Sequence, residues 1–302
     1  MPVIAYQSFN ANSSTIHGLK ALASQRFTIA TNKYVTGKGD QALILPYDAN
    51  NLTVPIEGPA ELRPIELLST PQTLEVFGSQ ISLLWQNYYR AFGAMPDILV
   101  CGELDTSNSE FANVVTGPDI TIKPLPAKKA CQSFSAISQT SIASQIEFLT
   151  SGEGFVVYKV AGLVVVFVHV PNRIATSRSE TESFYYKIAS LVHLKGSVIH
   201  LVLGDTNQPS FNFTADVLNV AFNTTKYENA TASGKVEKID NYNVIEKGTN
   251  STGTKMYDVA VYRADLVELK GSTAYLSQSS SGVTITDHCG LGVEVNLKKS
   301  NV

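Results

Sequence analysis

The chain has 302 residues, and 44% of them are hydrophobic, which is enough for a folded core and excludes a disordered chain. Only 16% are charged, with 23 basic and 26 acidic residues and a formal net charge of −3. This balance excludes a global positive field that would attract nucleic acid. A polyanionic substrate would therefore need another source of attraction, such as a bound metal ion.

The sequence shows no targeting or membrane-spanning segment. It begins Met-Pro-Val-Ile-Ala-Tyr-Gln, without the basic start and apolar stretch of a signal peptide. Its longest apolar region, residues 155–170, is interrupted by Lys159, Gly162 and His169 and is too short to span a bilayer. We therefore expect a protein that is cytoplasmic by default and does not insert into membranes, while delivery to another cell or compartment stays open.

In the first third of the chain, residues 1–25 are predicted to form an N-terminal extension, and residues 26–30 a first strand that runs into Thr31-Asn32. Apolar side chains recur at steps of three and four over residues 73–92, which predicts a helix. The continuous apolar run 97–101 predicts a strand buried on both faces, and Glu103 follows its end.

The middle of the chain alternates strands and a helix. Residues 155–158 and 163–168 predict a hairpin whose second strand ends in His169. Residues 177–192 predict a helix, because Ser177 and Glu180 have the spacing of a capping box and apolar residues follow at helical steps.

Short strands dominate the last third. Residues 198–203 predict a buried strand that runs into Gly204-Asp205-Thr206-Asn207. Residues 223–255 are polar and predict a long loop. Further strands are predicted over residues 257–262, 283–285 and 293–297.

Four polar side chains follow four apolar strands: Glu103, His169, Asp205 and His288. If these strands are neighbours in one sandwich, their ends converge on one rim. Each residue alone has a structural alternative. Asp205 and Asn207 are equally compatible with an Asx-turn that ends a strand, and a single histidine on an apolar strand is more often a core residue than a catalyst.

Together these residue types suit the attack of water on a phosphate ester. The oxygens of Glu103 and Asn32 suit Mg²⁺ or Mn²⁺, which binds one or two protein carboxylates and keeps several waters. A carboxylate can act as base, and a histidine near neutrality can donate a proton. Glu153 and Asp258 are available as carboxylate partners for the histidines.

Several motifs occur in an order that resembles the endonuclease/exonuclease/phosphatase superfamily, the deoxyribonuclease I-like proteins. The resemblance spans residues 26–297, and its most specific elements are Gly204-Asp-Thr-Asn207 and the final Asp287-His288. The sequence departs from the family pattern at Gly102, where the family usually has glutamine, and at Thr206, where it usually has an aromatic residue.

The resemblance implies a single α/β domain over residues 1–302: a four-layer sandwich of two packed, mostly antiparallel mixed sheets flanked by helices. It also implies a divalent-metal phosphodiesterase site. The implied metal ligands are Asn32, Glu103 and Asp287. The implied catalytic residues are His169 with its partner Glu153, the water-activating and phosphate-contacting pair Asp205 and Asn207, and His288 with its orienting carboxylate Asp258.

The favoured function is a Mg²⁺- or Mn²⁺-dependent endonuclease that hydrolyses DNA, or less readily RNA, by direct water attack. A second hypothesis keeps this site and changes the substrate to a phosphoinositide or another small phosphoester. A third is a catalytically inactive family member that acts as a binding protein.

Overall fold

The structure, a computed structural model, describes residues 1–8, 88, 92–104, 120–128, 132–208, 212–230, 249, 255–270, 273–276, 279–280, 283–284 and 288–299. The strands in chain order are β1 (Val3–Ser8), β2 (Ile98–Gly102), β3 (Ile120–Leu125), β4 (Phe134–Gln139), β5 (Ile146–Gly152), β6 (Phe155–Val160), β7 (Leu163–His169), β8 (Leu201–Asp205), β9 (Tyr227–Asn229), β10 (Asp258–Arg263), β11 (Val267–Leu269), β12 (Ala274–Leu276), β13 (Ser279–Ser280), β14 (Val283–Thr284) and β15 (Gly290–Leu297). The helices are α1 (Asn172–Ala175), α2 (Arg178–His193) and α3 (Phe213–Ala221), and residues Thr140–Gln145 form a 3-10 helix.

These strands form two mixed, mostly antiparallel sheets. The first has the order β11-β15-β1-β2-β4-β3, with β12 also paired to β15, and only β1 and β2 in it run parallel. The second has the order β5-β6-β7-β8-β10-β9, and only β7 and β8 in it run parallel. In both sheets the parallel pair is central, so both of its strands are buried by neighbours on either side.

Among the described residues, two apolar layers hold the sandwich together. One lies between the sheets and combines side chains such as Ile4, Val100, Phe167 and Leu203 from both of them. The other lies on the outer face of the second sheet, where α2 and α3 cover alternate residues of β6, β7, β8 and β10. The predicted four-layer α/β sandwich is therefore confirmed.

The hairpin and the capped helix, which have strong local sequence patterns, are confirmed. The predicted hairpin is β6 and β7, which pair in antiparallel register through a turn in which Ala161 and Gly162 both have positive φ angles of 49° and 84°. The predicted capping box begins α2, where Ser177 Oγ accepts a hydrogen bond from the Glu180 amide at 3.4 Å. Of the helix predicted over residues 73–92, the described residues Tyr88 and Phe92 are helical, and the rest lies outside the described residues.

Three expectations are corrected. Residues 3–8 are not part of an extension but form β1, which is fully buried between β15 and β2. The polar segment 223–255 contributes β9 to the second sheet. Strand β14 pairs with β13 in a separate two-stranded unit instead of joining a main sheet. The strand predicted over residues 26–30 lies outside the described residues.

Among the described residues, no helix is long and apolar enough to cross a membrane.

Candidate active site

The candidate site lies where β2, β7 and β8 end and β10 begins. His169 is in register with Asp205 across the parallel β7–β8 pair, and Asp258 is in register with Asp205 across β8–β10. His169, Asp205 and Asp258 therefore lie side by side on the second sheet. Glu103 reaches them from the end of β2 on the other sheet, so the ends of three of the four predicted strands converge, while the strand predicted before His288 lies in neither main sheet.

The approach of β7 to β8 at this point requires a glycine. Gly204, directly before Asp205, has a φ of 141°, and a Cβ atom there would lie 2.0 Å from the carbonyl oxygen of Val168. Only glycine tolerates both the conformation and the contact. The glycine of the Gly-Asp-Thr-Asn motif therefore lets Asp205 lie directly beside His169.

His169 joins the two sheets through a carboxylate. Its Nε2 atom lies 2.9 Å from Glu103 Oε1 and 3.8 Å from Asp205 Oδ2. Glu103 is 5% exposed and has a positive φ of 60°, which turns the chain at the end of β2. This contact brings an expected metal ligand within hydrogen-bond distance of an expected catalytic histidine.

His288 is held by Asp258. Its Nδ1 atom lies 2.7 Å from Asp258 Oδ2 and 3.9 Å from Asp205 Oδ2. Burial raises the pKa of Asp258, and the hydrogen bond and positive charge of His288 counteract this rise. An Nδ1–H···O bond fixes the tautomer in which Nε2 carries the lone pair, which is the orientation expected of a catalytic histidine.

The two carboxylate oxygens of Asp205 have different neighbours. Oδ1 accepts a hydrogen bond of 2.8 Å from the Asn207 amide, which is the Asx-turn that the sequence left open. Oδ2 faces both histidines at 3.8 and 3.9 Å. The Asx-turn is therefore present and uses one oxygen of Asp205, while a catalytic role for the other oxygen stays a prediction.

Asn207 shapes the rim beside Asp205. It has a positive φ of 52°, and its side-chain amide donates to the Val170 carbonyl at 2.9 Å. This bond ties the end of β8 to the segment that follows His169. A role for Asn207 in contacting phosphate stays a prediction.

A cation could bind within this cluster. One ligand atom from each of Asp205, Asp258 and His288 lies within 4.8 Å of the others. These carboxylates, with the buried Glu103 next to them, are hard oxygen donors of the kind that Mg²⁺ and Mn²⁺ prefer. The donor set therefore fits a divalent cation, while the predicted ligands Asn32 and Asp287 lie outside the described residues.

Glu153 lies in the turn between β5 and β6, close to the end of β7. The carbonyl of the next residue, Gly154, accepts the His169 amide at 2.9 Å. The Glu153 carboxylate is 41% exposed and is bound by Arg173 and by the side-chain amide of Gln132. Its predicted partnership with His169 stays a prediction.

Two site residues were missed from the sequence, Tyr6 and Gln7 of β1. Gln7 is fully buried, and its Nε2 atom donates to the backbone carbonyl of His288 at 3.1 Å. Tyr6 is also fully buried, and its hydroxyl lies 2.2 Å from where a Cβ on Gly102 would be. The short apolar run Val3–Tyr6 was the available signal, but four residues are too few to distinguish a strand.

The same contact explains the departure at position 102. Because the Tyr6 hydroxyl fills the space of a side chain there, only glycine fits in this sheet. Burial raises the pKa of Tyr6, and the nearby carboxylates of Asp205, Asp258 and Glu103 raise it further. The phenol therefore stays protonated beneath the acidic cluster.

Comparisons with known proteins give similar structures but no similar sequences. No protein-family model and no curated protein matches the chain. The mannosyl-6-phosphatase Bt3783 of Bacteroides thetaiotaomicron VPI-5482 is 10% identical, with a TM-score of 0.50 over 98% of this chain and 100% of that one. The catalytic domain of human Nocturnin is 14% identical, with a TM-score of 0.46 over 72% and 86% of the two chains. An endonuclease/exonuclease/phosphatase from Bacteroides vulgatus is 11% identical, with a TM-score of 0.46 over 71% and 92%.

The match to the phosphatase extends over almost the whole of both chains and shows that the two share a fold. The fold is the four-layer α/β sandwich that the sequence resemblance implies.

Proposed function

We propose that the protein is a phosphoesterase, and specifically a divalent-metal-dependent phosphodiesterase that acts as an endonuclease on DNA or RNA. The observation that carries this proposal is the buried Asp258–His288 pair at 2.7 Å, which faces Asp205 and the His169–Glu103 pair across the same cluster. Two histidines, each within 3 Å of a buried carboxylate, surround one further carboxylate. This arrangement has the parts that general acid–base attack of water on a phosphate requires.

Each described side chain has a role that follows from its contacts. Asp205 Oδ2, the oxygen outside the Asx-turn, is the base that takes a proton from the attacking water. His288, with its Nδ1 bound to Asp258, presents Nε2 to the phosphate, and when Nε2 is protonated it donates a hydrogen bond that stabilises the negative charge that develops in the transition state. His169, held by Glu103, binds a second phosphate oxygen from the opposite side of the cluster.

Glu103, a buried carboxylate at the edge of the cluster, would hold Mg²⁺ or Mn²⁺ together with Asn32 and Asp287 as further proposed ligands. A bound cation would neutralise phosphate charge at the site. It would also offset the formal net charge of −3, which otherwise repels a polyanion.

A phosphatase acting on a small phosphoester is the second candidate. The structural match that extends over both full chains is a mannosyl-6-phosphatase, and the chain carries no net positive charge for a nucleic acid backbone. The site chemistry is the same in both cases, so the two candidates differ only in substrate.

The test is turnover by the purified protein of supercoiled plasmid, structured RNA, a generic phosphodiester, sugar phosphates and a phosphoinositide panel. Each substrate is incubated with Mg²⁺, with Mn²⁺ and with chelator. Cleavage of plasmid or RNA supports the nuclease, and turnover confined to small phosphoesters supports the second candidate. If no substrate is turned over, the result contradicts both enzyme candidates and favours the third hypothesis, an inactive member that acts as a binding protein.

Four variants connect the activity to the site. His169→Ala, His288→Ala and Asp205→Asn are each expected to lower kcat by about 10²- to 10⁴-fold. Asp205→Asn keeps an oxygen that accepts the Asn207 amide, so its loss of activity cannot come from a broken turn. His193→Ala is the matched control, because His193 is exposed at the end of α2. Equal activity in all four variants would assign the turnover to a contaminant or to another site.

A further inference from the structure

Thr249 is a buried residue in a polar part of the chain. It belongs to the segment 223–255, which the sequence predicts as a loop, yet it is 0% exposed. A polar side chain with no access to water must find its hydrogen-bond partners inside the protein. The partners of Thr249 are the two segments that carry Asp258 and His288.

The hydroxyl of Thr249 holds the start of β10. Thr249 Oγ1 accepts the backbone amide of Asp258 at 2.9 Å and that of Tyr257 at 3.0 Å. The carbonyl of Tyr257 in turn accepts the amide and the hydroxyl of Thr206, the residue after Asp205. The hydroxyl therefore fixes the backbone from which the Asp258 carboxylate projects.

The backbone of Thr249 holds the segment that carries His288. Its carbonyl accepts the amide of Cys289 at 2.8 Å, and its own amide donates to the Lys255 carbonyl at 2.7 Å. Cys289 directly follows His288. Thr249 is therefore hydrogen-bonded to both of the segments that meet in the 2.7 Å contact between His288 and Asp258.

We propose that Thr249 is a positioning residue that sets the distance and orientation of the Asp258–His288 pair. This inference rests on the proposed function for its catalytic consequence, but its structural content is independent of the substrate. A substitution of Thr249 can remove the hydroxyl, but every variant keeps the backbone carbonyl and amide. Without the hydroxyl, two buried amides lose their acceptor, and the start of β10 shifts relative to His288.

The expected catalytic effect is large for a residue that does not touch substrate. A displacement of about 1 Å in a catalytic group can cost roughly 10²-fold in rate. We expect Thr249→Val, which keeps the shape and removes the acceptor, to lower kcat by about 10- to 100-fold with little change in KM. Thr249→Ser restores the hydroxyl and is expected to restore most of the activity.

The test also needs a measurement that does not depend on turnover. In protein labelled with ¹⁵N at histidine, the imidazole nitrogen shifts report the tautomer of each ring, and the His288 signals are assigned by their absence in His288→Gln. Wild type, Thr249→Ser and the control Thr214→Val are expected to share one His288 tautomer with the proton on Nδ1. Thr249→Val is expected to show a mixture of tautomers.

Thr214 is the matched control because it is 1% exposed, like Thr249, but lies on α3 at the outer face of the second sheet. It separates the effect of losing a buried hydroxyl from the effect on the pair. If the His288 shifts are the same in Thr249→Val and wild type, or if Thr249→Ser behaves like Thr249→Val, the inference is overturned. If wild type has no turnover but the shifts change as expected, the proposed function fails and the positioning role stands.

Discussion

The side chains of the candidate site are held in place by hydrogen bonds from neighbouring backbone and side-chain groups. The Asn207 amide binds one oxygen of Asp205 and leaves the other directed at the histidines, and the Gln7 side chain holds the carbonyl of His288. Such contacts restrict each functional group to one orientation before a substrate binds. Preorganisation of this kind lowers the cost of reaching the transition state.

The close contact between Tyr6 and Gly102 predicts a severe effect of a single methyl group. Gly102→Ala places a Cβ atom 2.2 Å from the Tyr6 hydroxyl, so we expect the free energy of unfolding to fall by about 1–3 kcal/mol. Tyr6→Phe removes the atom in conflict and leaves ring atoms at 3.0 and 3.2 Å. Gly102→Ala should therefore cost less in the Tyr6→Phe background, as measured by urea unfolding of the four proteins.

Additive effects in this cycle would show that the hydroxyl does not occupy the space beside Gly102. The same unfolding measurement on Gly93→Ala supplies a comparison. No atom of the described residues lies within 4 Å of a Cβ at this position, and Gly93 has a positive φ of 67°. Gly93→Ala should lower the free energy of unfolding only through its unfavourable backbone conformation, and this loss should be the same in the Tyr6→Phe background.

The sequence predicted the side chains of the candidate site better than the residues that hold them in place. Glu103, His169 and Asp205 were found because each follows a clear apolar strand, and His288 was found through the Asp287-His288 motif; the structure brings all four together. Thr249, Tyr6 and Gln7 could not be found in this way. Their roles depend on contacts over long distances in the sequence, and a threonine in a polar segment carries no local signal of burial.

At the level of elements, the second sheet was predicted more completely than the first. Strands β6 and β7 are long β-branched runs with a glycine turn, and α2 has both helical periodicity and a cap, so local chemistry defines them. Strand β1 has four apolar residues followed by Gln7 and Ser8, and its six residues are all buried. A strand buried on both faces shows no alternation, which removes the signal that would have separated it from an extension.

The junction of β7 and β8 predicts a dependence of stability on pH. The Nδ1 atom of His200, just before β8, accepts the Val164 amide at 2.9 Å, and this bond requires the neutral ring. Burial lowers the pKa of His200 below its usual 6.5, and the charges of Arg263 and Lys159 lower it further. Because the unfolded chain binds the proton more readily, the stability from the neutral ring is present above pH 6.5 and is lost as the pH falls towards the lowered value.

His200→Gln is expected to remove this part of the pH dependence. Urea unfolding of wild type and variant between about pH 8 and pH 5 measures it, and the difference in unfolding free energy between them should shrink as the pH falls. His193→Ala, an exposed histidine on α2, should keep the wild-type profile. Parallel profiles for wild type and His200→Gln would contradict the assignment.

At the scale of the whole molecule, β1 is part of the core. It is paired with β15 on one side and β2 on the other, and Val3, Ile4 and Tyr6 are at most 3% exposed. Each such side chain contributes about 1.5–3 kcal/mol on burial, against a total stability of about 5–15 kcal/mol for an ordinary domain. Deletion of residues 2–8 is therefore expected to abolish cooperative unfolding, as monitored by near-ultraviolet circular dichroism during heating.

Ile4→Ala provides a graded comparison, because it keeps the strand and removes one buried side chain. It should still unfold cooperatively, with a loss of about 2–5 kcal/mol. A deletion variant that unfolds cooperatively near the wild-type temperature would restore the original interpretation of these residues as an extension.

The pairing of β1 with β15 also has a consequence for how the protein is made. Gln7 and His288 touch although 281 positions separate them in the chain. During translation, β1 leaves the ribosome long before β15 has been made. The side of β1 that pairs with β15 therefore has no partner strand until residues 290–297 are synthesised. The Asp258–His288 pair can form only after residue 288 has been synthesised, so a product that ends before this residue lacks one of the two histidine–carboxylate contacts of the candidate site.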